Sequence, residues 1–234
     1  MTETNGIWVF GYGSLCWNPG FEFERSTVGF IKGFGRRFWQ GNTTHRGTLE
    51  KPGRVVTLIE SDKEITYGRV FKIKDISALP YLEQRECNLG GYLTAITTFY
   101  SRDGKSAFPA LIYIATSKND QWLGDAPLHD IAKQIIECKG PSGHNVEYLL
   151  RLADFMRRYV PEAKDDHLFA LDTIVRMHIK KQKMCLNTLM GNREFVIDLD
   201  EADDSQIALS DEEENIYNDE TLHNPFQYIS RVPA

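Results

Sequence analysis

The chain has 234 residues, 41% of them hydrophobic, so it is long enough for one large domain with a core of ordinary size. Its net charge of −6 is uneven, because residues 194–220 carry twelve acidic and no basic side chains, which leaves +6 for the remainder. A mildly basic body is compatible with a small anionic ligand. We find no basic run interleaved with aromatic residues, which argues against a nucleic-acid partner, and no apolar run of about 18 residues, which argues against a membrane span.

Neither the cysteines nor the histidines show the spacing of a metal site. The four cysteines are widely separated without a CxxC pair, and the six histidines are scattered without an HxH or HExxH pattern. We therefore expect no metal. Reduced thiols in a cytoplasmic protein are the simplest interpretation, since the N-terminus also lacks the basic and apolar regions of a secretory signal. Disulfide bridges remain the alternative.

The first part of the chain is rich in short β-type segments. Strands are predicted at residues 6–11, 28–34, 36–41, 54–60, 65–73, 93–100 and 108–115. Glycines such as Gly33 and Gly35 are typical of bulges, or of the bends that close a barrel. A short or broken helix is predicted over residues 75–86, because Asp75 can cap it while Pro80 limits its length.

The second part of the chain is helical. Apolar residues at helical spacing predict three helices, over residues 128–136, 146–159 and 168–186. Many short strands followed by helices predict an α+β domain, with a curved sheet or barrel and helices packed against one side. We expect this domain to span residues 1–190. Residues 191–234 are expected to form an acidic, flexible C-terminal extension, because dense like charge with little apolar content favours a solvated chain.

A glycine-containing turn follows the first predicted strand and is the stretch most indicative of ligand binding. It comprises Phe10, Gly11, Tyr12, Gly13, Ser14 and Leu15. The glycines allow close approach to the main chain, so the amides of residues 11–15 can face one anion as a backbone nest. A plain tight turn is the alternative. The dinucleotide-binding fingerprint does not match, because Cys16 stands in place of its third glycine, and Ser14 lacks the GxSxG context of a nucleophile.

Glu86 is the carboxylate that we single out as a candidate for proton transfer. It follows the short predicted helix, and apolar Leu82, Leu89 and Tyr92 lie near it in the sequence. Enclosure by such groups disfavours the charged form and raises the pKa of a carboxyl group toward neutrality, as a proton shuttle requires. The alternative is a surface glutamate that forms an ion pair with Arg85.

The loop Gly140–Asn145 precedes the second long helix, which carries Tyr148. In a purely structural interpretation, Ser142 or Asn145 caps this helix. In a functional interpretation, the loop frames a pocket in which the Tyr148 hydroxyl binds a ligand. A buried tyrosine hydroxyl finds a partner in either case, so the residues alone leave both interpretations open.

Four motifs in register carry a resemblance to a known family. They are Val9–Leu15, Arg37–Gln40 with Thr44–Gly47, Arg85-Glu86 ahead of Gly90–Tyr92, and Gly140–Leu149. In this order they resemble the ChaC-type gamma-glutamylcyclotransferases, in the glutathione-specific branch, over roughly residues 6–180. The acidic C-terminal stretch lies outside the resemblance. The interval between Glu86 and the Gly-Gly pair is longer than in some relatives, which affects the expected loop geometry more than the identity of the carboxylate.

The resemblance implies a cyclotransferase barrel with flanking helices and the cleavage of glutathione into 5-oxoproline and cysteinylglycine. It implies that Glu86 is the catalytic acid and base, that residues 10–15 hold the gamma-glutamyl group, and that Tyr148 belongs to the pocket. No cofactor is expected. The same chemistry on other gamma-glutamyl peptides or amines, and a non-catalytic anion-binding module, are the alternatives. A nicotinamide oxidoreductase is disfavoured by the missing glycine, and the oligomeric state is left open.

Overall fold

The computed structural model describes residues 6–75, 77–88 and 91–199, and its centre is a closed five-stranded barrel. The strands are β1 (Trp8–Gly11), β2 (Phe23–Asn42), β3 (Gly53–Ile73), β4 (Leu93–Ser101) and β5 (Ala107–Ile114), in the spatial order β1-β3-β2-β4-β5. Neighbouring strands are antiparallel, except that β1 and β5 pair in parallel at Val9 and Leu111 and so close the barrel. The predicted α+β fold with a barrel is confirmed.

Strands β2 and β3 form one long bent hairpin of 20 and 21 residues. The prediction of two separate strands on each side of this hairpin was therefore wrong. The register between β2 and β3 shifts between Lys32 and Phe34, where Gly33 adopts a φ of +82°. Lys32 pairs with Ile65 and Phe34 with Glu60, so β2 advances by two residues between these two pairs and β3 by five. This irregularity in β3 bends the hairpin without ending either strand. The glycines therefore do not mark strand ends.

The helices match the predicted pattern, with differences at their ends. They are α1 (Ala78–Leu82), which continues into a π-helical turn (Glu83–Asn88), α2 (Leu128–Glu137), α3 (Asn145–Tyr159), α4 (Asp166–Lys181) and α5 (Leu186–Met190), and a two-residue hairpin, β6 (Lys139–Gly140) and β7 (Gly143–His144), precedes α3. The third long helix was predicted to reach residue 186. It ends earlier because Lys183 takes a left-handed φ of 53° and breaks the helical path before α5. None of the helices within the described ranges is long and apolar enough to cross a membrane.

A single apolar core joins the barrel to the long helices. The barrel interior contributes Phe10, Phe38 and Phe99, while Ile135 of α2 and Leu149 of α3 belong to the same buried cluster. Each of these five side chains is at most 1% exposed. Because the helices bury their apolar faces on β2 and β3, the glycine turn after β1 and the start of α3 are held at fixed positions relative to each other.

Residues 191–199 lie back against the barrel after α5. The carbonyl oxygen of Asp198 accepts hydrogen bonds from Ser26 Oγ at 2.8 Å and from Arg69, and the guanidinium of Arg151 lies 4.6 Å from the centre of the Phe195 ring. The acidic stretch from residue 200 onward lies outside the described residues, so its flexibility stays a prediction, as does the domain boundary at residue 190.

Candidate active site

One pocket of about 390 Å³ contains every residue that the sequence singled out for ligand binding or proton transfer. These residues are Phe10, Gly11, Tyr12, Gly13, Ser14, Leu15, Glu86 and Tyr148. They come from the end of β1, the π-helical turn and α3. The fold thus brings together residues that are separated by up to about two thirds of the described chain, as a ligand site requires.

The glycine turn packs directly against the tyrosine of α3. Strand β1 ends at Gly11, and a single 3-10 turn (Ser14–Cys16) follows, in which Cys16 N donates to the Gly13 carbonyl at 3.0 Å. A Cβ atom on Gly13 would lie 2.6 Å from the Tyr148 hydroxyl oxygen and 2.9 Å from Cγ2 of Val56. This close approach requires glycine at position 13.

Glu86 combines the two environments that were predicted as alternatives. Its side chain is 17% exposed and lines the pocket, and burial raises the pKa of its carboxyl group. It also forms the predicted ion pair with Arg85, whose Nε lies 3.0 Å from Glu86 Oε1 and whose charge lowers the pKa of Glu86 in opposition to burial. The carboxylate is therefore both paired and enclosed, with a pKa that remains above its ordinary value because the effect of burial is the larger.

Arg85 connects the carboxylate to the glycine turn. Its Nη2 donates to Ser14 Oγ at 2.9 Å, and its Nη1 donates to the carbonyl oxygens of Asn18 at 3.0 Å and Pro19 at 2.6 Å. Together with the contact to Glu86, these hydrogen bonds place one planar guanidinium between the π-helical turn and the segment after β1. Sequence reasoning considered Arg85 only as a partner of its neighbour, because the contact with residues 14–19 has no local signal.

Tyr148 lines the pocket, as the functional interpretation predicted, and its ring is tightly held. Tyr148 is 5% exposed, and its ring makes edge contacts with Trp17 and Phe38, with distances of 5.3 and 6.0 Å between ring centres. The hydroxyl oxygen accepts a hydrogen bond from Val56 N at 3.4 Å, which leaves its own proton available to a ligand. Burial raises the pKa of the phenol, so the proton is retained at neutral pH.

Two further tyrosines surround Glu86. The hydroxyl of Tyr12 donates to the carbonyl oxygen of Tyr113, and the hydroxyl of Tyr92 donates to the Val56 carbonyl at 2.8 Å. Burial raises the pKa of both phenols well above the ordinary value, and the charge of Glu86 raises it further. This part of the pocket is therefore lined by neutral hydroxyl groups and contains a single carboxylate among its described residues.

The start of α3 is capped differently from the prediction. His144 caps the helix, since its Nδ1 accepts from Val146 N at 3.2 Å, whereas Ser142 and Asn145 do not. Asn145 instead exchanges two hydrogen bonds with the backbone of Arg54, at 2.7 and 2.8 Å, and so fixes α3 to the hairpin of β2 and β3. Ser142 is left free for the wall of the pocket, where its Oγ lies 3.2 Å from Nδ1 of His45.

Sequence reasoning missed the polar wall of the pocket, which Asn42, His45, Arg46 and Ser142 form. Arg46 pairs with the buried Glu147 at 2.5 Å. Two sequence signals pointed to this wall. The segment Thr44–Gly47 was noted as part of a family motif without a role, and the functional interpretation expected the loop Gly140–Asn145, which contains Ser142, to frame a pocket.

The fold and this pocket define a class of protein, that of the gamma-glutamyl cyclotransferase barrels. A solved yeast structure, titled as a gamma-glutamyl cyclotransferase specific to glutathione, matches with a TM-score of 0.68 and 29% identity, covering 74% of this chain and 96% of its own. The chain also matches the model of the ChaC-like protein family over residues 7–178, and it belongs to that family.

Two vertebrate relatives, both named glutathione-specific gamma-glutamylcyclotransferase 1, are similar over most of their length. The zebrafish (Danio rerio) protein is 49% identical over 180 residues, which cover 75% of this chain and 92% of the relative. The human protein is 50% identical over 173 residues, which cover 72% and 78%. Family membership and the barrel thus agree with the resemblance that the motifs indicated.

Proposed function

We propose that this protein cleaves glutathione into 5-oxoproline and cysteinylglycine, with Glu86 as the group that moves the proton. The observation that carries the proposal is the position of Glu86, an enclosed carboxylate of raised pKa in one pocket with the glycine turn and Tyr148. The names of the relatives supply the substrate. Release of 5-oxoproline from other gamma-glutamyl peptides uses the same chemistry and is the second candidate.

The reaction moves two protons from the α-nitrogen of the substrate to the nitrogen that departs. The α-ammonium group of the substrate gives a proton to the Glu86 carboxylate, and the neutral amine attacks the γ-carbonyl carbon. The new carbon–nitrogen bond closes the five-membered ring, and the bond to the cysteinyl nitrogen breaks. Glu86 gives its proton to that departing nitrogen, then takes the second proton from the ring nitrogen and passes it to the released amine. The products are a neutral lactam and an ammonium group, no water is consumed, and the carboxylate is ready for the next cycle. A raised pKa suits this role because the group has to hold the proton briefly near neutral pH.

The remaining pocket residues are proposed to hold the substrate in its ring-closing shape. The amides of residues 11–15 and the Tyr148 hydroxyl can donate to the substrate's α-carboxylate or to the oxyanion that develops on the γ-carbonyl oxygen. Phe10 and Leu15 add apolar walls to the same turn. In favourable intramolecular reactions such positioning supplies roughly 7–11 kcal/mol of the barrier, which makes it the larger share of the catalysis proposed here.

The location and the extent of the catalytic unit are part of the proposal. The free thiols of Cys16, Cys138 and Cys185 support a reducing compartment, and hence the cytoplasm. The family match ends at residue 178, which supports a catalytic unit within residues 1–190. The acidic extension at 191–234 lies outside the match, and its residues 191–199 contact the barrel.

The test compares Glu86→Gln with a matched control, Glu83→Gln. Glu83 lies in the same π-helical turn but is exposed and outside the pocket. With glutathione as substrate and mass spectrometry of the products, we expect Glu86→Gln to lose about 100-fold or more in kcat, the value of a missing proton shuttle, and the control to stay within about two-fold. Activity of Glu86→Gln within a few-fold of wild type would remove Glu86 from the mechanism. Absence of 5-oxoproline with the wild-type protein would refute the function.

A further inference from the structure

The polar wall of the pocket, formed by Asn42, His45, Arg46 and Ser142, is not used by the proposed chemistry. Asn42 holds the turn that carries His45 and Arg46. Its Oδ1 accepts hydrogen bonds from His45 N at 2.9 Å and from Arg46 N at 2.6 Å. Because both amides bond to one buried side chain, the imidazole is carried on a fixed backbone. Such a turn can position a side chain for recognition.

The imidazole of His45 is itself oriented by the β6–β7 hairpin. Its Nδ1 lies 3.2 Å from Ser142 Oγ, and Ser142 N donates to the His45 carbonyl oxygen at 2.9 Å. When the serine hydroxyl donates to Nδ1, the ring proton is on Nε2. In this tautomer the second ring nitrogen is a donor whose direction is set by the contact on the first.

That second nitrogen lacks a partner in the described protein. Nε2 of His45 is buried, and no hydrogen-bond acceptor for it is present among the described residues. A buried polar atom without a partner costs free energy, unless a water molecule, an ion or a ligand supplies the missing contact. Since His45 lines the pocket, a substrate atom is the natural partner.

The charges around His45 select the kind of substrate atom. Burial, Arg85 and Arg46 lower the pKa of His45, so the imidazole is neutral at physiological pH and has two arginines as its charged neighbours. Arg46 is paired with Glu147, but Arg151 and Arg193 also contact Glu147, at 2.8 and 3.5 Å. One carboxylate among three guanidinium groups leaves local positive charge, which favours an anion over a thiol or a peptide hydrogen.

We infer that His45, oriented by Ser142, is a specificity-determining residue that donates a hydrogen bond to the C-terminal carboxylate of the departing dipeptide. This inference rests on the proposed function. It extends that function by naming the substrate class, gamma-glutamyl peptides that end in a free carboxylate on the residue after the cysteinyl position. The glycine turn and Glu86 engage the gamma-glutamyl end, while the polar wall engages the opposite end.

The experiment uses two variants of His45 and three peptides. His45→Asn keeps an amide near the position of Nδ1, whereas His45→Gln places an amide near the position of Nε2. The peptides are glutathione, its C-terminal glycinamide, and gamma-glutamyl-2-aminobutyryl-glycine, in which a methyl group replaces the thiol. The kcat/KM of each protein is measured on all three. Each variant is compared with itself on different substrates, so a loss of folded protein cancels in the ratio.

We expect the ratio of kcat/KM for glutathione to that for the glycinamide to fall about 10- to 100-fold in His45→Asn, as for a lost hydrogen bond to a charged group. The aminobutyryl peptide should lose as much as glutathione, and His45→Gln should recover part of the ratio. An equal loss on glutathione and its glycinamide would overturn the inference, and so would an unaffected aminobutyryl peptide, which would assign His45 to the thiol. No turnover of any peptide by the wild-type protein would instead refute the proposed function.

Discussion

Replacement of Gly13 by alanine tests whether the glycine turn and Tyr148 work as one unit. The added Cβ would lie 2.6 Å from the Tyr148 hydroxyl oxygen and 2.9 Å from Val56 Cγ2. Ordinary contact begins near 3.4 Å, so the hydroxyl has to retreat by roughly 0.8 Å. The ring cannot retreat freely, because Trp17 and Phe38 pack against it and the residue is 5% exposed.

The size of the effect follows from that displacement. A shift of about 1 Å in a group that positions the substrate can cost about 100-fold, so we expect kcat/KM on glutathione to fall by that order in Gly13→Ala. Overpacking of a buried site also costs about 1–3 kcal/mol, which lowers the Tm of a chain of this size by roughly 2–12 °C. The loss of activity should persist at temperatures at which the variant is fully folded.

A double-mutant cycle with Tyr148→Phe separates the clash from the chemistry. Without the hydroxyl, the nearest Tyr148 atom to the new Cβ is Cζ at 3.7 Å, which is ordinary contact. We therefore expect the double variant to regain the part of the lost Tm that comes from the Tyr148 hydroxyl, but not the part that comes from Val56 Cγ2, and to regain none of the activity, so that the coupling appears in thermal unfolding. Wild-type kcat/KM in Gly13→Ala, or additive changes in Tm, would contradict the reasoning.

Two predictions concern the balance of charge at Glu86. Arg85→Met removes the charge that lowers the pKa of Glu86, so the acid limb of the plot of kcat/KM against pH should move to higher pH, and loss of the hydrogen bond to Ser14 should lower activity by up to about 100-fold. Arg85→Lys should lose activity but keep the acid limb near its wild-type pH. An acid limb that does not move in Arg85→Met would contradict this prediction. Burial raises the pKa of Glu86 in the folded protein above its value in the unfolded chain, so ionisation of Glu86 destabilises the fold as pH rises through the native pKa. Glu86→Gln should therefore raise the Tm at pH 7–8, and the gain in Tm should shrink toward pH 4. Thermal unfolding measured across this pH range tests whether the Tm rises or falls.

The apolar pattern of the sequence predicted the α+β class and the barrel, but it did not predict the long hairpin of β2 and β3. Alternation and glycine spacing indicated separate strands at residues 28–34 and 36–41. The structure pairs Phe23–Asn42 with β3 on both sides of Gly33, because an irregularity between Glu60 and Ile65 of β3 accommodates the interruption. Strand continuity depends on the partner strand, and a single segment carries no information about that partner.

The site was predictable where its residues are close in sequence and hidden where they are not. The turn of residues 10–15 and the enclosed Glu86 each have a local signal, in glycines and in apolar neighbours. The contact between Arg85 and Ser14 spans 71 residues and that between His45 and Ser142 spans 97, so only the folded chain reveals them. The predicted cap of α3 was wrong for a related reason. Ser142 was a local candidate, but its hydroxyl contacts His45 in the pocket wall, and His144 caps the helix instead.

The pocket's own charges explain why its selectivity has to come from placed hydrogen bonds. Its cations are only partly offset by carboxylates, Arg85 by Glu86 at 3.0 Å and Arg46 by Glu147 at 2.5 Å, because Arg151 and Arg193 also contact Glu147. A gamma-glutamyl tripeptide has a carboxylate at each end, so attraction to net positive charge would not distinguish its two orientations. Neutral donors of fixed direction do distinguish them, because a hydrogen bond weakens steeply away from linearity. We propose that the Tyr148 hydroxyl and the His45 imidazole are such donors, and we expect them to favour the orientation that places the scissile carbonyl beside Glu86.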